Sequence, residues 1–252
     1  MACISDEEKW LYARLDDWLY LCNKRSCPCF SDFLDLREQA LIRSRLKNVK
    51  DIGWAFYGGY ADAERAILVV YPDYYDHDCI QYPFVPVAFQ YRKIQKLSHR
   101  DFLGTILSTG IRREKIGDIL CGEGLSVVFL CEDVVPYICE QVDCVGGEGV
   151  IILSDYHGAL PVSRDYLEIR DSIASPRLDA IVKAIIRVSR EESARMIQSG
   201  LISVDHIVVE NVSKSISAPC TVSVRGYGRY LIDAIGPETK KGRLLLAARK
   251  CI

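Results

Sequence analysis

The cationic side chains in the last third of the chain carry the clearest chemistry. From Ile173 to Ile252 there are 13 Lys or Arg against 7 Asp or Glu, whereas the preceding 172 residues hold 19 against 27. An overall charge of -2 therefore conceals a basic module attached to an acidic body, and phosphate-binding potential gathers at one end. Lys183 and Arg187 stand four residues apart, so on a helix both heads reach across one face. Arg190 follows Ser189 in "SREES" at the start of a helix, where the amides of the N-terminus also favour an anion, and Arg195 comes later on the same helix. Arg225 and Arg229 flank the bend "GYG", and Lys240, Lys241 and Arg243 form a compact run. Side chains of this kind track the phosphates and 2′-hydroxyls of structured RNA.

The other reactive residue types do not assemble into a site. Cys22, Cys27 and Cys29 in "CNKRSCPC" lack the Cys-x2-Cys pair of a common zinc site, and no second pair lies nearby. Eleven cysteines are an odd number, so complete internal pairing is impossible and reduced thiols are expected. His77, His99, His157 and His206 are scattered. The glycine pairs lack the Lys-Ser/Thr ending of a phosphate-binding loop, and no methyl-donor or dinucleotide pattern is present. The adjacency of His99, Arg100 and Asp101 makes no acid-base pair, because successive helix residues do not face one another. The expectation is a protein without catalytic residues, metal or cofactor. An RNA-modifying enzyme is the alternative with a reaction, and a protein-binding adaptor without RNA affinity is the alternative with none.

The elements that must position the cations follow from periodicity. Residues 6 to about 50 read mainly as helices, with Trp10, Leu11, Leu15, Trp18 and Leu19 on one apolar face. A second helix, "SDFLDLREQALIRSRLKN", begins with Ser31 or Asp32 as cap. "ERAILVVYP" is a strand ended by Pro72. Val85 to Tyr91, "KIGDILC", "LSVVFLC" and "GVIIL" are further strands. "SHRDFLGTILSTG" is a helix capped by Ser98 and ended by Gly110, and "EDVVPYICEQV" a helix despite Pro136. "RDSIASPRLD" reads as a linker, with Ser175 as cap and Pro176 in the first turn of the next helix. Leu178, Ile181, Val182 and Ile185 form its apolar stripe. Ser189 and Glu192 have capping-box spacing for the following helix, where Ala194 and Ile197 face inward and Gly200 terminates. "LISV" and "HIVVE" make a hairpin about Asp205, "TVSVRGYGRYLIDAIG" two strands and "GRLLLAARK" the last. The fold class expected is α+β and multidomain: an N-terminal α/β unit over 1–75, a middle α+β unit over 76–168, and a terminal unit over 173–252 with two helices on an antiparallel sheet.

"RLDAIVKAIIRVSREESARMIQSGLISVDHIVV" resembles the alpha-L RNA-binding fold of ribosomal protein S-four, through Arg177, Leu178, Asp179, Ser189, Arg190, Ala194, Ile197, Gly200, Val204 and Val208. "FYGGYADAERAIL", "HRDFLGTILSTGIRREKIGDIL", "SVRGYGRYLI" and "TKKGRLLL" are similar to the bacterial YlmH-type RNA-binding proteins, from roughly residue 30 onward. The resemblance implies an RNA-binding factor that associates with large-subunit ribosomal RNA and with tRNA or peptidyl-tRNA. It also implies quality-control proteins as partners, in the rescue of ribosomes with stalled nascent chains. One departure is Asp205-His206 where that fold usually has an Asn-Gly-like turn, a pair less favourable for a mirror-type hairpin.

Several assignments stay double at this level. Arg190 and Arg195 contact RNA or sit in local salt bridges; Arg177 contacts RNA or is held by Asp179. Tyr227 packs in the core, the reading preferred here, or stacks on a base. Lys240, Lys241 and Arg243 meet RNA or form a solvated turn. In the middle unit, Arg112, Arg113 and Lys115 make a second basic element for RNA or an internal ion network. No apolar run approaches the roughly 18 residues of a membrane span, and "MACISDEEKWLYARL" does not read as a secretory signal. A cytoplasmic monomer is expected.

Overall fold

The computed structural model describes residues 5–161, 166–239 and 242–251. The chain divides into two compact units, Met1–Val162 and Ser163–Ile252.

The first unit opens with α1 (Asp6–Arg25), β1 (Cys29–Leu34), α2 (Leu36–Leu46), β2 (Ile52–Tyr57) and β3 (Ala66–Pro72), the strands forming an antiparallel sheet in the order β1-β3-β2. Ser5 caps α1 by accepting from the Glu8 amide. Asp35 and Glu38 close a reciprocal capping box on α2, with 2.8 Å in each direction. The helical start expected at Ser31 or Asp32 is thus displaced, because both residues lie in β1. Phe33 and Leu34 there are buried, and the Ser31 hydroxyl accepts from the Leu68 amide at 2.9 Å. Pairing with β3 satisfies this backbone across the sheet, which a local period cannot anticipate. Leu11, Leu15, Leu34, Ile42, Leu46, Leu68 and Val70 join the helices to the sheet.

The same unit continues through β4 (Phe84–Gln90), α3 (His99–Ser108), β5 (Ile116–Cys121), β6 (Leu125–Cys131), α4 (Val135–Gln141), β7 (Cys144–Val145), β8 (Glu148–Gly149) and β9 (Ile151–Leu153). Its larger sheet has the order β5-β6-β4-β9, and β7 pairs only with β8. Pro136 sits in the first turn of α4, where no intrahelical amide bond is lost. Phe33, Phe84 and Phe129, together with Ile67, form a core shared by the three-stranded and four-stranded sheets.

The second unit is built from β10 (Tyr166–Ile173), α5 (Leu178–Ile186), α6 (Arg190–Gln198), β11 (Ile202–Val204), β12 (Ile207–Val208), β13 (Cys220–Val224), β14 (Gly228–Glu238) and β15 (Leu244–Cys251). All eight residues of β10 pair antiparallel with β15, and the sheet runs β10-β15-β14-β13-β11-β12. The first four residues of the stretch read as a linker, 170–173, therefore belong to a strand; its mixed polarity hid it, since only Ile173 is buried. Leu178, Ile181, Val182, Met196 and Ile197 seat both helices on Val222, Val224, Tyr230, Ile232 and Leu246. Each such aliphatic side chain contributes roughly 2 kcal/mol on burial. Inward on α6 are Ser193, Met196 and Ile197, while Ala194 is only half-buried.

Two local expectations change here. Arg177, not Ser175, is the N-cap residue of α5, and the Pro176 carbonyl instead accepts from the Ile216 amide. Asp205 and His206 adopt positive φ, 48° and 68°, as a mirror-type two-residue hairpin requires. The Asp205 carboxylate accepts from the Thr221 amide at 2.9 Å, so a bond to β13 holds a turn that the residue types alone do not favour.

Candidate nucleic-acid interface

The geometry of the helix pair depends on one buried carboxylate. Asp179, in the first turn of α5, is 2% exposed. It accepts from Arg177 Nε at 2.9 Å and from Arg190 Nε at 2.9 Å. Burial alone would raise its pKa, but the bonds from Arg177 and Arg190 outweigh this and hold the carboxyl below the ordinary value. The Ser193 hydroxyl adds a bond to the Asp179 carbonyl, tying α6 to α5 a second time. Arg190 is thereby aimed while its head stays largely solvent-exposed. Ser189 caps α6 through the Glu192 amide at 3.0 Å. The Glu192 carboxylate pairs with Arg195 one turn on, and the Arg195 side chain stays largely exposed.

Beside this anchor lies a groove of about 600 Å³ lined by Arg170, Lys183, Arg187, Arg190 and Arg243, with Asp171 the one acidic residue of its wall. The route by which Lys183 and Arg187 come together differs from the expected one. The helix ends at Ile186, and Arg187 is its left-handed cap at φ 56° and ψ 46°, so the two are not successive turns of one face. They still border the same groove. Arg243 reaches it from the turn before β15 and donates to the Ser172 carbonyl. Arg170 was missed in the sequence because β10 was missed; an eight-residue strand there would have marked it. Five cations border this open groove beside Asp171; Arg190 is paired with Asp179 and Arg170 with Glu168 at 3.4 Å, and the positive excess that remains suits an anionic ligand such as successive phosphates.

Other candidate cations lie elsewhere in the second unit. Arg225 is exposed at the β13–β14 bend, and Arg229 is half-buried on β14. Tyr227 is 43% exposed between them, so the preferred core-packing assignment is corrected: Tyr230, 2% exposed, fills that place. Lys240 and Lys241 fall outside the described residues.

In the first unit only Arg112 of the expected basic trio is exposed. Lys115 bridges Asp32 at 2.9 Å and Asp133 at 2.8 Å. The guanidinium of Arg113 donates to the Ile116 carbonyl at 2.5 Å, and burial pushes its pKa down to about 10. Arg65 donates to the same carbonyl and to that of Phe33, each at 2.9 Å. Asp118 accepts from Tyr60 Oη and the Glu64 amide, both at 2.7 Å, and from the Arg65 amide at 3.0 Å. Arg113 and Lys115 thus take the internal arrangement set beside the RNA reading. Among the described residues no group of three or more His, Cys, Asp or Glu could hold a metal ion, and no helix is long and apolar enough to cross a membrane.

Comparison with known proteins bears on both units. A family model described as "Putative RNA-binding domain in YlmH" matches residues 81–155, the part running from β4 through β9. The "Ribosome-associated protein quality control protein P2" of Bacillus subtilis (strain 168) is 31% identical over 242 residues, covering 94% of this chain and 93% of its own. This chain belongs to the YlmH family. Membership makes it an RNA-binding factor rather than an enzyme. A solved YlmH structure, "Cell division protein ylmH from Streptococcus pneumoniae", superposes with a TM-score of 0.53 at 17% identity, covering 61% of this chain and 94% of that one. At that identity the likeness concerns the fold. The two-helix, antiparallel-sheet module of this YlmH-family chain has the architecture of an S-four-like domain.

Proposed function

We propose that this protein is a non-catalytic factor that binds large-subunit ribosomal RNA together with tRNA or peptidyl-tRNA, in the cytoplasmic quality control of stalled nascent chains. The observation that carries the reading is the groove between α5, α6 and β10, where Arg170, Lys183, Arg187, Arg190 and Arg243 converge. The printed name of the Bacillus relative supplies the quality-control context. The mechanism is positioning: buried Asp179 holds Arg190 in place before RNA arrives, so little side-chain freedom is lost on binding. Arg112 is the exposed cation through which the middle region adds a contact, while Arg113 and Lys115 maintain its shape.

Crosslinking tests this. The protein is recovered with cell ribosomes, crosslinked, and the attached RNA is sequenced. Enrichment of large-subunit RNA and tRNA, lost in a folded Lys183→Gln/Arg187→Gln/Arg190→Gln variant, is the expected result. Crosslinks confined to another RNA would redirect the assignment. Robust protein partners with no RNA crosslinks would replace it with the adaptor.

A further inference from the structure

The tip of the β13–β14 hairpin carries a second cationic cluster with a feature the groove lacks. Tyr227 is displayed between Gly226 and Gly228, whose φ values of +87° and +108° are conformations that other residues rarely adopt. The bend is closed by a bond from the Tyr227 amide to the Val224 carbonyl at 3.0 Å, and a bond from the Arg225 amide to the Leu201 carbonyl at 2.9 Å ties its base to the sheet. The ring thus projects from a fixed backbone, with 43% of the residue exposed. Among the described residues it stacks on no other ring, and the Arg225 head has no acidic partner.

The surroundings are positively charged. Lys250, across the sheet on β15, holds its amine 5.9 Å from the Tyr230 ring centroid, and its Cε lies 3.6 Å from where a Cβ on Gly228 would stand. From Ser223 to Tyr230 there is no Asp or Glu, while Arg225 and Arg229 flank the ring. Tyr227 has cations before, after and beside it in the sheet.

The tip and the groove occupy different stretches of the sheet, the groove cation Arg170 pairing with Ala247, three residue steps from Lys250. Ser172 and Ile173, on the groove wall, pair with Leu245 and Leu244, whereas Lys250 pairs with Tyr230 and Leu167 at the other end. Leu244 and Lys250 stand six residue steps apart along β15, about 20 Å at ~3.3 Å per residue. One rigid sheet therefore carries two cationic surfaces of different character: a groove for successive phosphates, and an aromatic platform with flanking charges.

We propose that Tyr227 with Arg225 and Lys250 is a separate subsite for an unpaired nucleotide of RNA, the base stacking on the Tyr227 ring and the adjoining phosphates meeting the cations. An aromatic face accepts any base, whereas a base inside a duplex is already stacked, so the subsite selects single-stranded or splayed RNA. This inference rests on the RNA-binding reading above and gives it a second point of attachment.

The test uses the full chain, a fluorescent single-stranded RNA decanucleotide and an RNA duplex, with affinities measured over a range of salt. Tyr227→Ala is expected to weaken the single strand about ten-fold, to leave duplex affinity unchanged, and to keep the wild-type salt slope. Tyr227→Phe should retain single-strand affinity within about two-fold, since the ring face is what binds. Arg225→Gln should lower the single-strand salt slope by about 0.7. Thermal melts establish that each variant is folded. Equal single-strand affinity for Tyr227→Ala and wild type, or equal losses on both RNAs, would overturn the subsite. If the groove variant weakens both RNAs while Tyr227→Ala weakens neither, the subsite alone falls. If the wild-type protein binds neither probe, the RNA-binding reading fails with it.

Discussion

Asp179 shows how one side chain can organise a surface it does not belong to. Removing it as Asp179→Ala takes away the acceptor of two guanidinium groups that solvent still reaches, and a loss of about 1–2 kcal/mol in urea unfolding is expected. Its folded pKa lies below the unfolded value of about 3.9. The stabilisation is therefore complete above that unfolded value and disappears as pH falls through the folded one. Wild-type protein should lose more stability than the variant when titrated from pH ~5 to ~2. Lys115 behaves in the opposite sense. Burial lowers its pKa, but bonds to Asp133 and Asp32 outweigh this and raise it. Its contribution is complete below the unfolded lysine value and is lost as pH rises through the folded one. Lys115→Ala should cost about 1–2 kcal/mol, less than a fully buried pair because Asp133 remains exposed. The Arg177–Asp179 pair was legible because its members are two residues apart. The Arg190 bond spans eleven residues and needs two helices to cross, so only part of this hub could be read from the chain.

Elements with local signals were the ones the sequence disclosed well. Ser189 was identified as a cap from its spacing to Glu192, and its hydroxyl does accept the Glu192 amide. Ser189→Ala should cost about 1 kcal/mol and show as a lower denaturation midpoint with unchanged slope. Gly200 likewise takes the left-handed terminator geometry, at φ +67°. Strands without a clean alternation were less visible: β1 hid inside a helical stretch and β10 inside a linker. Each is defined by its sheet partner, β3 in one case and β15 in the other. The Asp205-His206 turn makes the same point. Asp205→Ala removes the bond to the Thr221 amide and leaves a residue poorly suited to φ 48°. A loss of about 1 kcal/mol is expected, with faster amide exchange confined to β11 and β12.

The two units each enclose a hydrophobic core of their own. A fragment spanning 163–252 is accordingly expected to fold alone, with a cooperative thermal transition and native-like amide dispersion; a non-cooperative melt would contradict its autonomy. RNA affinity of the whole protein should fall steeply with salt, because the groove works by displacing counterions. Replacing Lys183, Arg187 and Arg190 together by Gln should reduce the slope of log affinity against log salt by about 2 to 3. An unchanged slope would place the electrostatic contact outside the groove.

Taken by itself, the sequence determined the charge division, the amphipathic stripe of α5, the cap and stop of α6, and the resemblance to YlmH-type proteins, since each depends on residue identity and short spacing. It also marked most of the cations that border the groove. Which of them share a surface was decided by the tertiary structure. Lys183, Arg187 and Arg190 lie within eight residues, but Arg170 and Arg243 join them because β10 pairs with β15 across the sheet. Pairing at long separation also buried Tyr230 while leaving Tyr227 on the bend, and enclosed Lys115 between carboxylates from Asp32 and Asp133. Composition treats these as equivalent tyrosines and lysines. Their different roles arise because exposure and charge pairing depend on what the folded backbone brings opposite them, which no local period encodes.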